Sequence, residues 1–261
     1  MSERVRSGIG VVTVLIVVAG CGGSAREHDI ADAQKTVAPV HQTIVKRCAA
    51  GSQRSLGSPG AAWAAVVLRP TAAYREPGRR RLARFEVLNV NGVPMVLGVR
   101  GEQLDGRCRA TWLHVGLPIR PNGSTGWVRA SDVRRQLVRT RITVDLTEKR
   151  VRLYRRGRLV LSSPAAIGSS ATPTPVGRYY VNQRLIPSDP QGPFGPGAVG
   201  ISAFSPVLTG WAQGGPIAIH GTNEPWSIGR AVSNGCIRIP NPALRRLFAQ
   251  ALAGTPVVIS K

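Results

Sequence analysis

Acidic residues, aromatic residues and lysine are all scarce in this chain of 261 residues. Asp and Glu number 13 against 35 Lys and Arg, which gives a net charge of +22. Such a charge attracts any polyanion, including nucleic acid, wall polymers and anionic lipids. Aromatic residues make up only 5%, and no zinc-finger, basic-zipper or RNP-like pattern is present, so we expect no nucleic-acid partner. Four cysteines are too few for a disulfide scaffold.

Long apolar runs are scarce as well, and the run at residues 9–20 is shorter than the ~20 residues of a membrane-spanning helix. Arg4 and Arg6 precede this run and small residues follow it, an order typical of a secretory signal. The sequence Val18-Ala-Gly-Cys21 resembles a bacterial lipobox. The resemblance implies cleavage before Cys21 and acylation of that residue. An uncleaved anchor is the alternative. Both readings export the chain, and the first predicts a lipid anchor at the outer face of the cytoplasmic membrane.

The remainder of the chain predicts a mainly β protein with few short helices. Hydrophobic residues make up 43%, enough for packed cores, and 20 Pro and 30 Gly indicate many turns. We divide the chain into a signal peptide (1–20), a tether with a short helix between 29 and 48 (21–61), a small β domain (62–136) and a larger β-rich domain (137–261).

The third segment carries short apolar runs separated by Pro, Gly and Asn turns, which is typical of a small barrel or sandwich. We predict strands at 63–68, 85–90, 94–99, 112–115 and 126–128. The Gly126-Trp-Val128 strand after the Pro121-Asn-Gly123 turn resembles the end of a bacterial Src-homology-like barrel. That resemblance implies a wall-associated module.

The fourth segment begins with three strands of an antiparallel meander with one buried face, at 141–146, 151–154 and 159–167. A Pro- and Gly-rich loop is predicted at 187–198. The one clear helix, 242–253, places its leucines on one face and stops at a glycine. A strand at 256–260 closes the domain.

Two cysteines have no other evident role. Export would place Cys48 and Cys108 outside the reducing cytosol, and we predict a disulfide between them. Two buried free thiols are the alternative.

The chemistry is concentrated between Ile217 and Ile239. His220 ends an apolar run, and Cys236 lies on a Gly-rich turn, where neighbouring N–H groups could stabilise an oxyanion. A thiolate nucleophile needs a base or a cation that lowers its pKa, and His220 is the evident partner. A structural histidine and a buried cysteine are the alternative. A zinc site needs three or four ligands, and the other histidines lie far upstream, so we expect no metal.

These residues fall in a pattern that resembles the YkuD-type L,D-transpeptidases. The matching motifs are His220-Gly-Thr222, Ser227-Ile-Gly229, Ser233-Asn-Gly-Cys-Ile-Arg238, Thr172-Pro-Thr-Pro-Val-Gly177 and Gly254-Thr-Pro-Val257. The likeness covers about residues 138–261 in family order. Many members have His where this chain has Asn234, a departure that leaves the Cys–His pair intact.

The resemblance implies a role for each residue. Cys236 would be the nucleophile and His220 the general base and acid, with the Gly221 carbonyl orienting the imidazole. The N–H groups of Gly235 and Cys236 would stabilise the oxyanion. Ser233 and Arg238 would support the site by shaping the turn or by holding a substrate carboxylate, and a structural ion pair is the alternative for Arg238.

The implied substrates are peptidoglycan stem peptides, with no cofactor, and carbapenem-type inhibitors would acylate the thiol. Two alternatives stay open at this point. An L,D-carboxypeptidase would use water as the acceptor, and a catalytically silent lipoprotein would only bind the wall.

Overall fold

The structure is a computed structural model that describes residues 47–261. The predicted signal peptide, Cys21 and nearly all of the predicted helix at 29–48 lie outside the described residues. Strands dominate residues 47–261, which contain one α-helix, so the mainly β fold is confirmed. None of the helical segments in this range has the length and apolar character needed to cross a membrane.

The first sheet is antiparallel throughout and has eight strands. Their bounds are β1 (Gln53–Ser55), β2 (Ala62–Val67), β3 (Thr71–Glu76), β4 (Arg79–Phe85), β5 (Val96–Leu104), β6 (Ala110–Gly116), β7 (Thr125–Arg129) and β8 (Val133–Val138). The spatial order is β4-β3-β7-β6-β5-β2-β8, with β1 beside β5. The Src-homology-like assignment of this domain stays a prediction.

Two features of this sheet differ from the sequence analysis. The strand predicted at 85–90 is wrong, because β4 ends at Phe85 and the following residues form a loop. In that loop Asn89 and Asn91 donate to the Gln183 side chain instead of joining a ladder. The Arg-rich segment 79–81 instead begins β4, an edge strand whose exposed charges protect it from pairing with other chains.

The second sheet also has eight strands and contains most of the remaining elements. Its strands are β9 (Thr140–Asp145), β10 (Arg150–Arg155), β11 (Arg158–Pro164), β13 (Gly177–Leu185), β14 (Ala198–Phe204), β15 (Pro216–His220), β17 (Ile237–Arg238) and β18 (Pro256–Ser260). A two-stranded parallel ribbon joins β12 (Ile167–Gly168) to β16 (Ala231–Ser233), and the helix α1 spans Asn241–Gln250.

The strand order of the second sheet is β11-β10-β9-β18-β13-β14-β15-β17. The β9-β10-β11 meander is antiparallel as predicted. Two pairs are parallel, β9 with β18 and β15 with β17. The second of these pairs joins the two segments that carry His220 and Cys236. Helix α1 buries Leu244 and Leu247 against the same sheet.

The two sheets contact each other directly within one compact unit. Tyr180 of β13 is buried, and its hydroxyl donates to the Gly116 carbonyl of β6 at 3.2 Å. A Cβ at Gly98 of β5 would lie 2.8 Å from the Tyr180 ring, so only glycine allows this approach.

The first sheet has two further ties at its start. Cys48 and Cys108 form a disulfide, with Cα atoms 5.1 Å apart. The Glu102 carboxylate of β5 is 1% exposed and accepts hydrogen bonds from Arg54 of β1 and Arg135 of β8, both at 2.6 Å. Residues 53–55, predicted as part of the tether, therefore belong to the sheet.

Candidate active site

His220 is the last residue of β15. Ile217 and Ile219 of this strand point into the core, so Ala218 and His220 occupy the opposite face. The imidazole is 4% exposed, and its Nδ1 lies 2.6 Å from the Gly221 carbonyl oxygen. A carbonyl can only accept, so Nδ1 carries the proton and Nε2 keeps the lone pair of a base. The role predicted for the Gly221 carbonyl matches this geometry.

Cys236 immediately precedes β17, whose parallel register pairs Ile237 with Ile219 and Arg238 with His220. One step back, Cys236 lies beside Ala218 and shares the face of His220. At this diagonal position the two Cα atoms are roughly 8 Å apart. The Cys236 thiol donates to the Pro216 carbonyl at 3.9 Å. The fold thus brings the two predicted catalytic residues together.

The turn before the nucleophile is held by Ser233 and Gly235. The buried Ser233 hydroxyl donates to the Cys236 carbonyl at 2.6 Å and accepts the Gly235 N–H at 3.2 Å. Gly235 has φ +109°, and an added Cβ would meet Ile217 at 3.0 Å. Ser233 therefore shapes the turn, while the Gly235 N–H, predicted as an oxyanion donor, is engaged by its hydroxyl.

A second segment, residues 172–177, forms hydrogen bonds to the same turn. Thr174 Oγ1 donates to the Gly235 carbonyl and accepts the Gly168 N–H, both at 2.8 Å. Thr172 Oγ1 donates to the Ser233 carbonyl at 3.0 Å. The motif was part of the family resemblance, but its role in holding the turn, 61 residues away, emerges only in the fold.

Arg238 forms an ion pair with Glu224, which lies in the loop that follows His220. The Arg238 side chain is 20% exposed and the Glu224 side chain 43%. This geometry favours the structural ion pair over the predicted contact with a substrate carboxylate.

The pKa values of the pair are set mainly by burial. Burial lowers the pKa of His220 to about 4, the Gly221 hydrogen bond opposes this shift, and the Arg238 charge adds to it. Burial also raises the pKa of the Cys236 thiol, against smaller opposing effects of the Ala218 N–H and of Arg238. In the free protein desolvation outweighs these two effects, and His220, itself neutral, does not lower the thiol pKa. At pH 7 both groups are neutral.

Phe194 is a site residue that the sequence analysis missed. Its ring lies edge-on to the His220 ring, with centroids 4.9 Å apart and an interplanar angle of 62°. Phe194 lies in the loop between β13 and β14, in agreement with the loop predicted at 187–198. No local pattern distinguishes a phenylalanine that covers an imidazole from any other loop aromatic.

A cavity of about 430 Å³ opens beside Thr222, two residues after His220. Its walls come from the turn after β15 and from the start of α1, and they are lined by Thr222, Pro225, Ile228, Pro240, Asn241 and Pro242. The Asn241 side chain accepts the Thr222 N–H at 2.8 Å and joins the two walls. A mostly apolar recess therefore adjoins the turn that follows His220.

Comparisons with known proteins show what this part of the chain is similar to. Residues 139–259 match the family model YkuD, described as the L,D-transpeptidase catalytic domain. Two proteins called YkuD, both carrying the name of an L,D-transpeptidase, align over 120 residues, one from Bacillus licheniformis at 41% identity and one from Bacillus subtilis at 37%. Each alignment covers 46% of this chain, and the chain spans 65% of the length of either relative.

Solved structures of L,D-transpeptidases are also similar, with low TM-scores. The catalytic domain of the E. faecium enzyme is 25% identical, covers 46% of this chain and 96% of its own, and has a TM-score of 0.35. L,D-transpeptidase 3 of Mycobacterium tuberculosis is 16% identical, covers 58% and 79%, and has a TM-score of 0.38. The resemblance rests on the sequence matches: the segment 139–259 is similar to YkuD-type L,D-transpeptidase catalytic domains.

Proposed function

We propose that this protein is a peptidoglycan L,D-transpeptidase that cross-links stem peptides through a thioester on Cys236. The observation that carries the proposal is the parallel register of β15 and β17. It places the sulfur and the imidazole on one face, with Nε2 free to accept a proton.

In the first half-reaction, the Cys236 sulfur attacks the carbonyl that precedes the terminal D-alanine of a stem tetrapeptide. His220 Nε2 takes the thiol proton as the S–C bond forms. The C–N bond then breaks, the proton passes from the imidazolium to the leaving amine, and D-alanine departs. The stem remains as a thioester on Cys236.

In the second half-reaction, a side-chain amine of another stem attacks the thioester. His220 accepts a proton from that amine and returns it to the sulfur as the S–C bond breaks. A new amide joins the two stems, and the thiol is regenerated. Because the Gly235 N–H is engaged by Ser233, we assign the oxyanion to the Cys236 N–H.

The resting neutral pair fits this scheme. A neutral imidazole is a base, whereas an imidazolium is not, so a low His220 pKa keeps the base available at neutral and mildly acidic pH. The buried thiol stays protonated until attack, when the proton moves directly to Nε2. Proton transfer and S–C bond formation are therefore coupled in this proposal.

The decisive experiment incubates the full chain with disaccharide-tetrapeptide and analyses the products by mass spectrometry. A cross-linked dimer with loss of one D-alanine supports the transpeptidase. Tripeptide monomer alone would identify an L,D-carboxypeptidase, in which water replaces the amine. If Cys236→Ala leaves product formation unchanged, the nucleophile is misassigned, and a silent wall-binding lipoprotein would form neither product.

Carbapenem-type inhibitors supply a second test of the same thiol. We expect a carbapenem to add its mass once, on the peptide that contains Cys236, and not to label Cys236→Ala. Labelling of another residue would argue against the proposal.

We also propose that the protein acts at the outer face of the cytoplasmic membrane, held by a lipid on Cys21, with the first sheet as a wall-associated domain. The support is the order of residues in 1–21 and the positive charge. Cys21→Ala should move the protein from the membrane fraction to the soluble exported fraction. An unchanged membrane fraction would favour the uncleaved anchor.

A further inference from the structure

One turn of the first sheet contacts the end of β14 and the loop that leads from β14 to β15. This turn, residues 117–124 between β6 and β7, contains Arg120 and Asn122. The Arg120 guanidinium donates to the Ser205 carbonyl at 2.8 Å and to the Gly214 carbonyl at 2.7 Å. These two carbonyls lie at opposite ends of the loop between β14 and β15, so one side chain ties the ends together. Arg120 also stacks over the Phe204 ring, 5.3 Å from its centroid.

Asn122 binds the backbone of Phe204 on both sides. Its Nδ2 donates to the Phe204 carbonyl and its Oδ1 accepts the Phe204 N–H, both at 2.8 Å. A primary amide that makes this pair of bonds imitates a neighbouring strand. Asn122 therefore fixes the last residue of β14 in position.

From Phe204 the contacts lead to the sulfur in two steps. Phe204 is the register partner of Pro216, the first residue of β15. The Pro216 carbonyl accepts the Cys236 thiol, and the same strand ends in His220. The contacts of Asn122 and Arg120 thus end on the strand that carries the base and touches the nucleophile.

The loop between these strands needs such support. Residues 205–215 contain three glycines, and Gln213 has φ +57°, a conformation that non-glycine residues rarely adopt. Trp211 and Val207 of this loop are both 53% exposed, so little apolar burial anchors it. Its ends are fixed mainly by polar contacts, including those from the first sheet.

We propose that the first sheet is a positioning module for the active site, in which Arg120 and Asn122 hold the Phe204–Pro216 strand pair and thereby set the place of the Cys236 sulfur. Both are positioning residues, because neither touches the reacting atoms. The inference rests on Cys236 as the nucleophile of the proposed function, and it gives the first sheet a role in catalysis besides wall association.

The two sheets are also joined by contacts elsewhere. The positioning of the active site can therefore be tested without separating the sheets. Tyr180 donates to Gly116, and Gln183 accepts hydrogen bonds from Asn89 and Asn91. These contacts do not involve Phe204 or Pro216. Loss of Arg120 or Asn122 therefore leaves the sheets docked, and Tyr180→Phe is a matched control that removes one hydrogen bond of the same interface without touching Phe204 or Pro216.

The test compares Arg120→Ala, Asn122→Ala and Tyr180→Phe in the full chain. The first readout is the alkylation rate of Cys236 by iodoacetamide, followed by peptide mass spectrometry, which needs no enzymatic activity. We expect at least a threefold faster rate in both positioning variants and an unchanged rate in Tyr180→Phe. Amide hydrogen exchange across residues 204–216 should rise in the same two variants.

The second readout is turnover with disaccharide-tetrapeptide. A misplaced sulfur should lower kcat about tenfold or more, with a smaller change in KM. Asn122→Asp keeps the acceptor for the Phe204 N–H but loses the donor to the Phe204 carbonyl. Arg120→Lys keeps the positive charge but loses the planar guanidinium that donates to two carbonyls at once. Both should give intermediate effects, and they serve in place of any alanine variant that does not fold.

The proposal is overturned if alkylation and exchange in the positioning variants equal those of Tyr180→Phe. A wild-type chain that makes no cross-link, while alkylation still responds to Asn122→Ala, would refute the proposed function and keep the positioning role. The two failures are therefore distinguishable.

Discussion

The two sheets of this protein have the same number of strands and are stabilised in different ways. The second sheet buries a cluster of twenty apolar residues, whereas the main cluster of the first sheet has eleven. The first sheet adds covalent and ionic ties: the Cys48–Cys108 disulfide and the buried Glu102 between Arg54 and Arg135. A large apolar core leaves the second sheet able to hold a buried polar site at one edge, and the smaller core of the first sheet depends on its ties.

The largest expected effect is the loss of activity when the nucleophile of the second sheet is removed and both apolar cores stay intact. Cys236→Ala should lower cross-linking activity at least about a thousandfold, because no other group can form the acyl-enzyme. The melting temperature should hardly change, since the substitution removes only one sulfur atom. Arg109→Ala, on an exposed loop of the first domain, is the control and should keep full activity. Retention of a tenth of the activity in Cys236→Ala would contradict the scheme.

The next effect removes the covalent tie of the first sheet. The disulfide spans 60 residues, and a loop of this size contributes about 4 kcal/mol in the chain-entropy model. Replacing Cys48 and Cys108 by alanine should lower the free energy of unfolding in urea by about that amount. A loss below about 1 kcal/mol would show that the first sheet does not need the disulfide.

The third prediction concerns the loss of stability at low pH that His220 of the second sheet should cause. His220 has a pKa of about 4 when folded, below its ordinary value of 6.5, so the unfolded chain binds the extra proton first. Its contribution to stability is complete above pH 6.5 and decreases as the pH falls to about 4. Over that window it amounts to roughly 3 kcal/mol. Urea unfolding at pH 7 and pH 4 should show this loss in the wild type and not in His220→Gln.

His114 of the first sheet is the matched control for that measurement. Burial, with a smaller effect of Arg100, also lowers the pKa of His114, but the side chain is less buried than His220. His114→Gln should therefore remove a smaller part of the acid sensitivity. An equal effect of both substitutions would mean that the two sheets share the acid response.

The fourth prediction breaks the ionic tie of the first sheet. Glu102→Gln leaves Arg54 and Arg135 facing a neutral amide, and we expect a loss of about 2 kcal/mol, since both arginines are partly solvated. Glu86→Gln, which removes an exposed pair with Arg84, should cost under about 0.5 kcal/mol. Equal losses in urea unfolding would show that burial of Glu102 does not matter.

The smallest expected effect is a shift in the pKa of the His220 imidazole when its aromatic neighbour is removed. Phe194→Ala exposes one side of His220 to water, which should raise its pKa from about 4 toward 6.5. The acid limb of the activity profile should move to higher pH by up to about one unit, and NMR titration of the histidines should report the same shift. Trp226→Ala, on an exposed turn, is the control and should leave the limb in place. An unmoved His220 pKa would remove Phe194 from the site.

Much of the site could be predicted because its residues are close in sequence. His220 and Cys236 lie in one segment, and the turn residues Ser233 and Gly235 adjoin the nucleophile. The helix predicted at 242–253 is observed at Asn241–Gln250 because its apolar period is local. The strand predicted at 85–90 failed because Asn89, and Asn91 just after it, form long-range hydrogen bonds.

The sequence by itself determined the candidate nucleophile Cys236 and the candidate base His220, the mainly β class and the residues of the signature. Only the tertiary structure decided the protonation state of the pair, the partner of Arg238, the cover of Phe194 and the contacts of Arg120 and Asn122. These properties depend on burial and on contacts between distant segments, such as the 82 residues between Asn122 and Phe204. Local sequence patterns specify which side chains are present, and desolvation and long-range contacts fix what they do.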